Sequence, residues 1–170
     1  RTLYLLLILL FSGFINQAVP PVQKGNNVPE KINILVLTER GGQHESFTAT
    51  ALQWLEKEKE RLNISFTEIN NTKPVTAKYL GQFQLILQLD FPPYSWTKVA
   101  ETAFIEYIDQ GLGGWVGFHH ATLLGEFDGY PMWNWFSEFM GDIRFQNYIA
   151  KLADGTVHVE DGNHPVMKGV

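Results

Sequence analysis

The sequence predicts an α/β protein in three layers, with a central, mostly parallel sheet between helices. Three observations carry this. Apolar, β-branched runs alternate with segments of helical period from Lys31 onward, the pattern of repeated strand–helix units. Glycine pairs interrupt the chain at Gly41-Gly42 and Gly113-Gly114, next to two of those runs. The most informative stretch is Gly113-Gly114-Trp115-Val116-Gly117-Phe118-His119-His120-Ala121-Thr122. There a short apolar run ends abruptly in two histidines, as when a buried strand delivers polar side chains to the carboxyl edge of a parallel sheet.

The elements follow in order. Ile32–Thr38 is a β-branched run and reads as a first, central strand. Gly41 and Gly42 break it, and a helical period begins at Ser46, the expected N-cap. Phe47, Ala51, Trp54 and Leu55 fall on its expected inner face. Ile64–Ile69 reads as a half-buried strand, Thr76–Gly81 as a helical turn and Phe83–Asp90 as a third strand. After the Phe91-Pro92-Pro93-Tyr94 break, Thr97–Gln110 is an amphipathic helix with Val99, Ala103, Ile105 and Ile108 as inward candidates. Trp115–Phe118 is a fourth strand, and Thr156–Glu160 is expected to be another, leading into a turn at Asp161–Pro165. The sequence stops at Val170 without a closing element, which reads as truncation inside a domain.

Composition narrows the possible partners. The 170 residues are 45% hydrophobic and 14% aromatic, enough apolar material for one substantial core. Net charge is −5 without a long basic run, so nucleic acid is not expected as a partner, because phosphate neutralisation needs clustered Lys and Arg. With no cysteine in the sequence, disulfides, thiolate metal sites and cysteine nucleophiles are excluded. Residues 1–18 carry a short basic start, the apolar run Leu3–Phe11 and a small residue at Ala18, the pattern of a secretory signal peptide. That run is shorter than the roughly 20 residues of a membrane span, so no stable span is expected once the signal is removed. Residues 19–30, with three prolines, read as a flexible leader. The expected location is exported, periplasmic or extracellular.

Four features, in order, resemble the trehalose-utilisation (ThuA-like) family from about Lys31 to Val170. The first strand runs into a glycine-rich loop with His44 and Ser46. The Gly113–Ala121 segment ends in histidine. Trp133-Asn134-Trp135-Phe136 is followed by Gly141 and Phe145, and Val157–Asp161 leads to His164-Pro165. Where many members carry His-Pro shortly after the residue matching Phe145, this chain has Asn147-Tyr148-Ile149. The resemblance implies a flavodoxin-like, class I glutamine amidotransferase-like sandwich over residues 31–170. It also implies a role in using trehalose, another disaccharide or a keto-glycoside. True glutamine amidotransferases place a cysteine on the turn after the strand matching Trp115–Phe118, where this chain has His119-His120. Glutamine hydrolysis by a thiolate is therefore ruled out, and imidazole is the chemistry available at that turn.

His119 and His44, each after a strand, are the candidate catalytic residues. As the next residue on an extended segment, His120 is expected to point away from His119, and it is kept as a substrate-binding candidate. His164 precedes Pro165 and is a candidate substrate or metal ligand, or a buried turn histidine. Glu39 and Glu45 flank the first loop and are placed to orient His44, while Glu126 and Asp128 are further acids in a loop. Neutral imidazoles suit zinc or a related divalent ion, which makes His119, His44 and His164 the candidate metal set. No compact ligand spacing supports it, and metal-free proton transfer is the other reading. Tyr130, Trp133 and Trp135 form either a wall for the apolar face of a sugar or part of the core. The functional expectation is a sugar-processing enzyme with a small carbohydrate as partner. Its alternatives are a non-catalytic sugar-binding or interaction module and a structural or oligomerisation domain of a larger glycosidase, and a homo-oligomer is a further candidate partner arrangement.

Overall fold

A computed structural model describes residues 31–124, 126, 129–149, 151 and 153–168. The signal-peptide and leader segments expected over residues 1–30 lie outside the described residues. Among the described residues, four strands form one sheet: β1 (Ile32–Leu37), β2 (Ile64–Ile69), β3 (Leu85–Gln88) and β4 (Gly114–Gly117). All pairings are parallel and the order is β2-β1-β3-β4. The helices are α1 (Glu45–Leu62), α2 (Ala77–Leu80), α3 (Lys98–Asp109) and α4 (Asn134–Phe139). No helix among the described residues is long and apolar enough to cross a membrane.

Strand alternation generates the layers. Successive side chains of β1 point to opposite faces. Leu35 and Leu37 therefore join one core with Leu80, Ala103, Phe104 and Phe136, while Ile34 and Val36 join another with Leu55 and Ile64. Both faces of the central strand are covered by helix, which gives the three-layer flavodoxin-like sandwich expected. The larger core centres on Phe104, fully buried, whose ring lies 5.1 Å from that of Trp96, 5.8 Å from Phe136 and 6.0 Å from Trp133.

The caps explain where two helices start. The hydroxyls of Thr76 and Thr97 accept the backbone N–H groups of Tyr79 and Ala100, each at 3.2 Å, and so satisfy donors that the first turn leaves open. Ser46 does not act this way. A 3-10 turn at Gly42–His44 runs directly into α1, so His44 holds the N-cap position and Ser46 is already helical.

Three other expectations are corrected. Val99 is 63% exposed, because the inward stripe of α3 is Ala100, Ala103, Phe104 and Tyr107, one position out of phase with Val99. Phe47 and Trp54 are exposed as well, with Thr48 and Leu55 the buried positions of α1. Residues 156–159 lie outside any strand, and Val157 is 88% exposed. Alternating residues do not make a strand without a neighbour to pair with, and residues 156–160 have no sheet partner among the described residues.

Truncating the central aromatic tests this account of the core. Phe104→Ala should cost about 3–5 kcal/mol of folding stability, read from the midpoint of denaturant unfolding. A loss below about 1 kcal/mol, the range of ordinary surface changes, would contradict the assigned packing.

Candidate functional site

The site forms where three loops leave the carboxyl ends of β1, β3 and β4. In the order β2-β1-β3-β4 the connection after β1 runs toward β2 and the connection after β3 runs toward β4, so the two leave neighbouring strands in opposite directions. Open α/β sheets hold ligands in the crevice at such a switch point. The β1 loop supplies Glu39 and His44, Asp90 follows β3, and His119 and His120 follow β4.

Backbone geometry at the end of β4 sets the histidine pair. Gly117 leaves room there, since a Cβ at this position would meet the Trp115 ring at 2.2 Å and the Ala121 Cβ at 2.9 Å. His119 then adopts φ +45°, a left-handed value unusual for a residue with a side chain, and opens a 3-10 turn over His119–Thr122. This turn corrects the expectation for His120. The segment is no longer extended, so the two neighbouring rings do not diverge. They stack with centroids 4.6 Å apart at 17°.

His44 completes the cluster. Its Nε2 lies 3.1 Å from Nε2 of His119, and its ring centroid 4.1 Å from that of His120. Each of the three imidazoles offers a ring nitrogen within 4.8 Å of the others. Loss of water around the ring lowers the pKa of His119. The charges of His120 and His44 act in the same direction, and Asp90 opposes them. His119 is thereby biased toward the neutral form, the one with a lone pair to give.

Two carboxylates hold the β1 loop. Asp90, fully buried, accepts the Glu39 backbone N–H through Oδ1 and the Thr48 hydroxyl through Oδ2, both at 2.8 Å. Glu68 of β2 accepts both Nε and a terminal nitrogen of Arg40 at 2.6 Å, and the Thr38 hydroxyl at 2.8 Å. Arg40 itself sits at φ +54° and reaches on to Glu45 at 3.1 Å. Sequence reasoning did not single out Asp90. Its only signal was a carboxylate closing the apolar run Leu85–Asp90.

The other candidates are placed by different contacts. His164 is exposed and caps a short turn at Pro165–Met167, its Nδ1 accepting the Val166 N–H at 3.3 Å. It is outside the three-histidine group. Trp133 is buried in the larger core and Trp135 packs against that core. Tyr130 is 42% exposed and stacks on Tyr94 at 3.9 Å and 8°. Glu126 is exposed, and Asp128 lies outside the described residues.

Fold and site together define an open α/β protein with a histidine cluster at its sheet switch point and no thiol in the chain. The family described as ThuA, trehalose utilisation, matches residues 33–170. The chain belongs to this ThuA family. It is similar to the crystal structure of a ThuA-like protein from Bacteroides uniformis, with 25% sequence identity and a TM-score of 0.69. That similarity covers 87% of this chain and 59% of the other. Comparison with curated proteins found no match.

The Arg40–Glu68 pair yields a pH prediction. Hydrogen bonds from Arg40, and secondarily from Thr38, hold the Glu68 pKa below its ordinary 4.5. A depressed carboxylate pKa contributes stability that is complete above the unfolded value and lost as pH falls through the folded one. Glu68→Gln should therefore melt below the parent at neutral pH, with the gap closing below about pH 4. An equal gap in thermal melts at both pH values would contradict the ion pair.

Proposed function

We propose that this chain is part of an exported protein of carbohydrate utilisation that processes a sugar by histidine acid–base or metal-assisted chemistry. The substrate class, trehalose, another disaccharide or a keto-glycoside, rests on membership of the trehalose-utilisation family. Export rests on the signal-like pattern of residues 1–18. The observation that carries the chemistry is the convergence of His44, His119 and His120 at the carboxyl edge of the sheet.

The donor set fits a zinc-class ion. Two nitrogens on one tetrahedral zinc at about 2.0–2.1 Å stand about 3.3 Å apart, close to the 3.1 Å between Nε2 of His44 and Nε2 of His119. His120, whose ring nitrogen lies within 4.8 Å of the other two, would move closer to become the third ligand, in place of His164, which is outside the group. Such an ion, when bound, supplies a Lewis acid and an activated water. Without it, His119 accepts a proton from a sugar hydroxyl and shares it with His44 across their contact. Tyr130, exposed on its stack with Tyr94, offers an aromatic face for a sugar ring.

Metal analysis by mass spectrometry, beside turnover of disaccharides and keto-glycosides, tests the reading. Near-stoichiometric zinc or a related ion is expected in the parent and lost in folded His119→Ala and His44→Ala variants, together with turnover. Turnover without bound metal, even after incubation with divalent ions, would select the acid–base route. Sugar affinity without turnover would overturn the enzymatic reading in favour of a binding module.

A further inference from the structure

Glu39 brings a carboxylate directly against two rings of the imidazole cluster. Its Oε2 lies 3.2 Å from Nδ1 of His120 and 3.9 Å from Nδ1 of His44. The first distance is a hydrogen bond; the second is an electrostatic contact just beyond one. Both approaches come from the same side of the rings, the Nδ1 side. Glu39 is itself fixed, because its backbone N–H is bonded to the buried Asp90.

A neutral imidazole carries one proton, so a ring that donates from Nδ1 keeps its lone pair on Nε2. For His120 the carboxylate therefore decides which nitrogen is available. For His44 it biases the same choice, and this agrees with the other side of that ring. His44 Nε2 faces His119 Nε2 at 3.1 Å, and two lone pairs cannot face each other at that distance without a proton or a cation between them. With the His44 proton on Nδ1, His44 Nε2 accepts from His119 Nε2–H, and every ring contact has one donor and one acceptor.

We infer that Glu39, anchored by Asp90, is the positioning residue of this site, fixing His120 and biasing His44 as Nδ1–H tautomers so that each presents Nε2 as its lone pair. The inference builds on the proposed histidine chemistry but concerns the rings alone. Its direct readout needs no metal and no turnover. Carboxylates that accept the second nitrogen of a ligating histidine set its orientation and basicity in this way, and removing one costs about 10–100-fold in metal affinity or activity.

Long-range nitrogen–proton correlation spectra of the metal-free, histidine-labelled chain at about pH 8.5, above the ordinary imidazole range, read the tautomers directly. The parent should show Nδ1–H on His120 and His44. Glu39→Ala should return both toward the Nε2–H form that free imidazole prefers, whereas Glu39→Gln, which keeps an acceptor oxygen, should largely retain Nδ1–H. Zinc affinity by chelator competition should fall about 10–100-fold in Glu39→Ala and by less in Glu39→Gln. Nε2–H on His120 in the parent, or tautomers unmoved in a folded Glu39→Ala, would overturn the inference whatever zinc does. Nδ1–H in a parent that binds no zinc would support Glu39 and count against the metal route alone.

Discussion

The candidate site depends on one buried carboxylate. Asp90 is wholly inaccessible to solvent, and each of its oxygens accepts one hydrogen bond, from the backbone of Glu39 and from Thr48. A buried carboxylate is costly unless its oxygens are satisfied, so these bonds are needed, and they join three separate elements. The end of β3, the loop after β1 and the first turns of α1 are clipped together at one point. His44, at the N-cap of α1, is carried by two of those three elements. Glu68 ties the same loop to β2 through Arg40 and Thr38, while the Asp90 clip joins it to the end of β3.

The sheet supplies the other half of the arrangement. Four parallel strands in the order β2-β1-β3-β4 put the carboxyl ends of β1, β3 and β4 side by side. Each contributes to the site: a histidine and a carboxylate from the first, a buried carboxylate from the second and a pair of histidines from the third. Loss of water around the His119 ring, with the charges of His120 and His44 added, lowers its pKa. His119 is thus favoured as a neutral imidazole, which can ligate an ion or accept a proton.

Much of the fold was legible in the sequence because its signals are local. The β-branched runs at Ile32–Leu37 and Ile64–Ile69 and the threonines before α2 and α3 carry their structure within a few residues. What escaped was set by distant partners. Thr156–Glu160 alternates like a strand, but nothing in the sequence says whether a neighbour will pair with it. The position of His120 differs from an extended continuation of β4 because His119 takes a positive φ, which its residue type does not signal. Asp90 looked like a strand ending, and its role appears only once the loop of Glu39 lies beside it. Aromatic residues such as Trp133 were ambiguous for the same reason, since burial depends on what packs against them.

The most direct test of the account is ring-proton NOE measurement on histidine-labelled protein, with the five histidines at positions 44, 119, 120, 158 and 164. The account predicts cross-peaks linking the rings of His44, His119 and His120 and none from these to His158 or His164. Rings of His44 and His119 without a cross-peak in the folded protein would contradict the convergence on which the site is built.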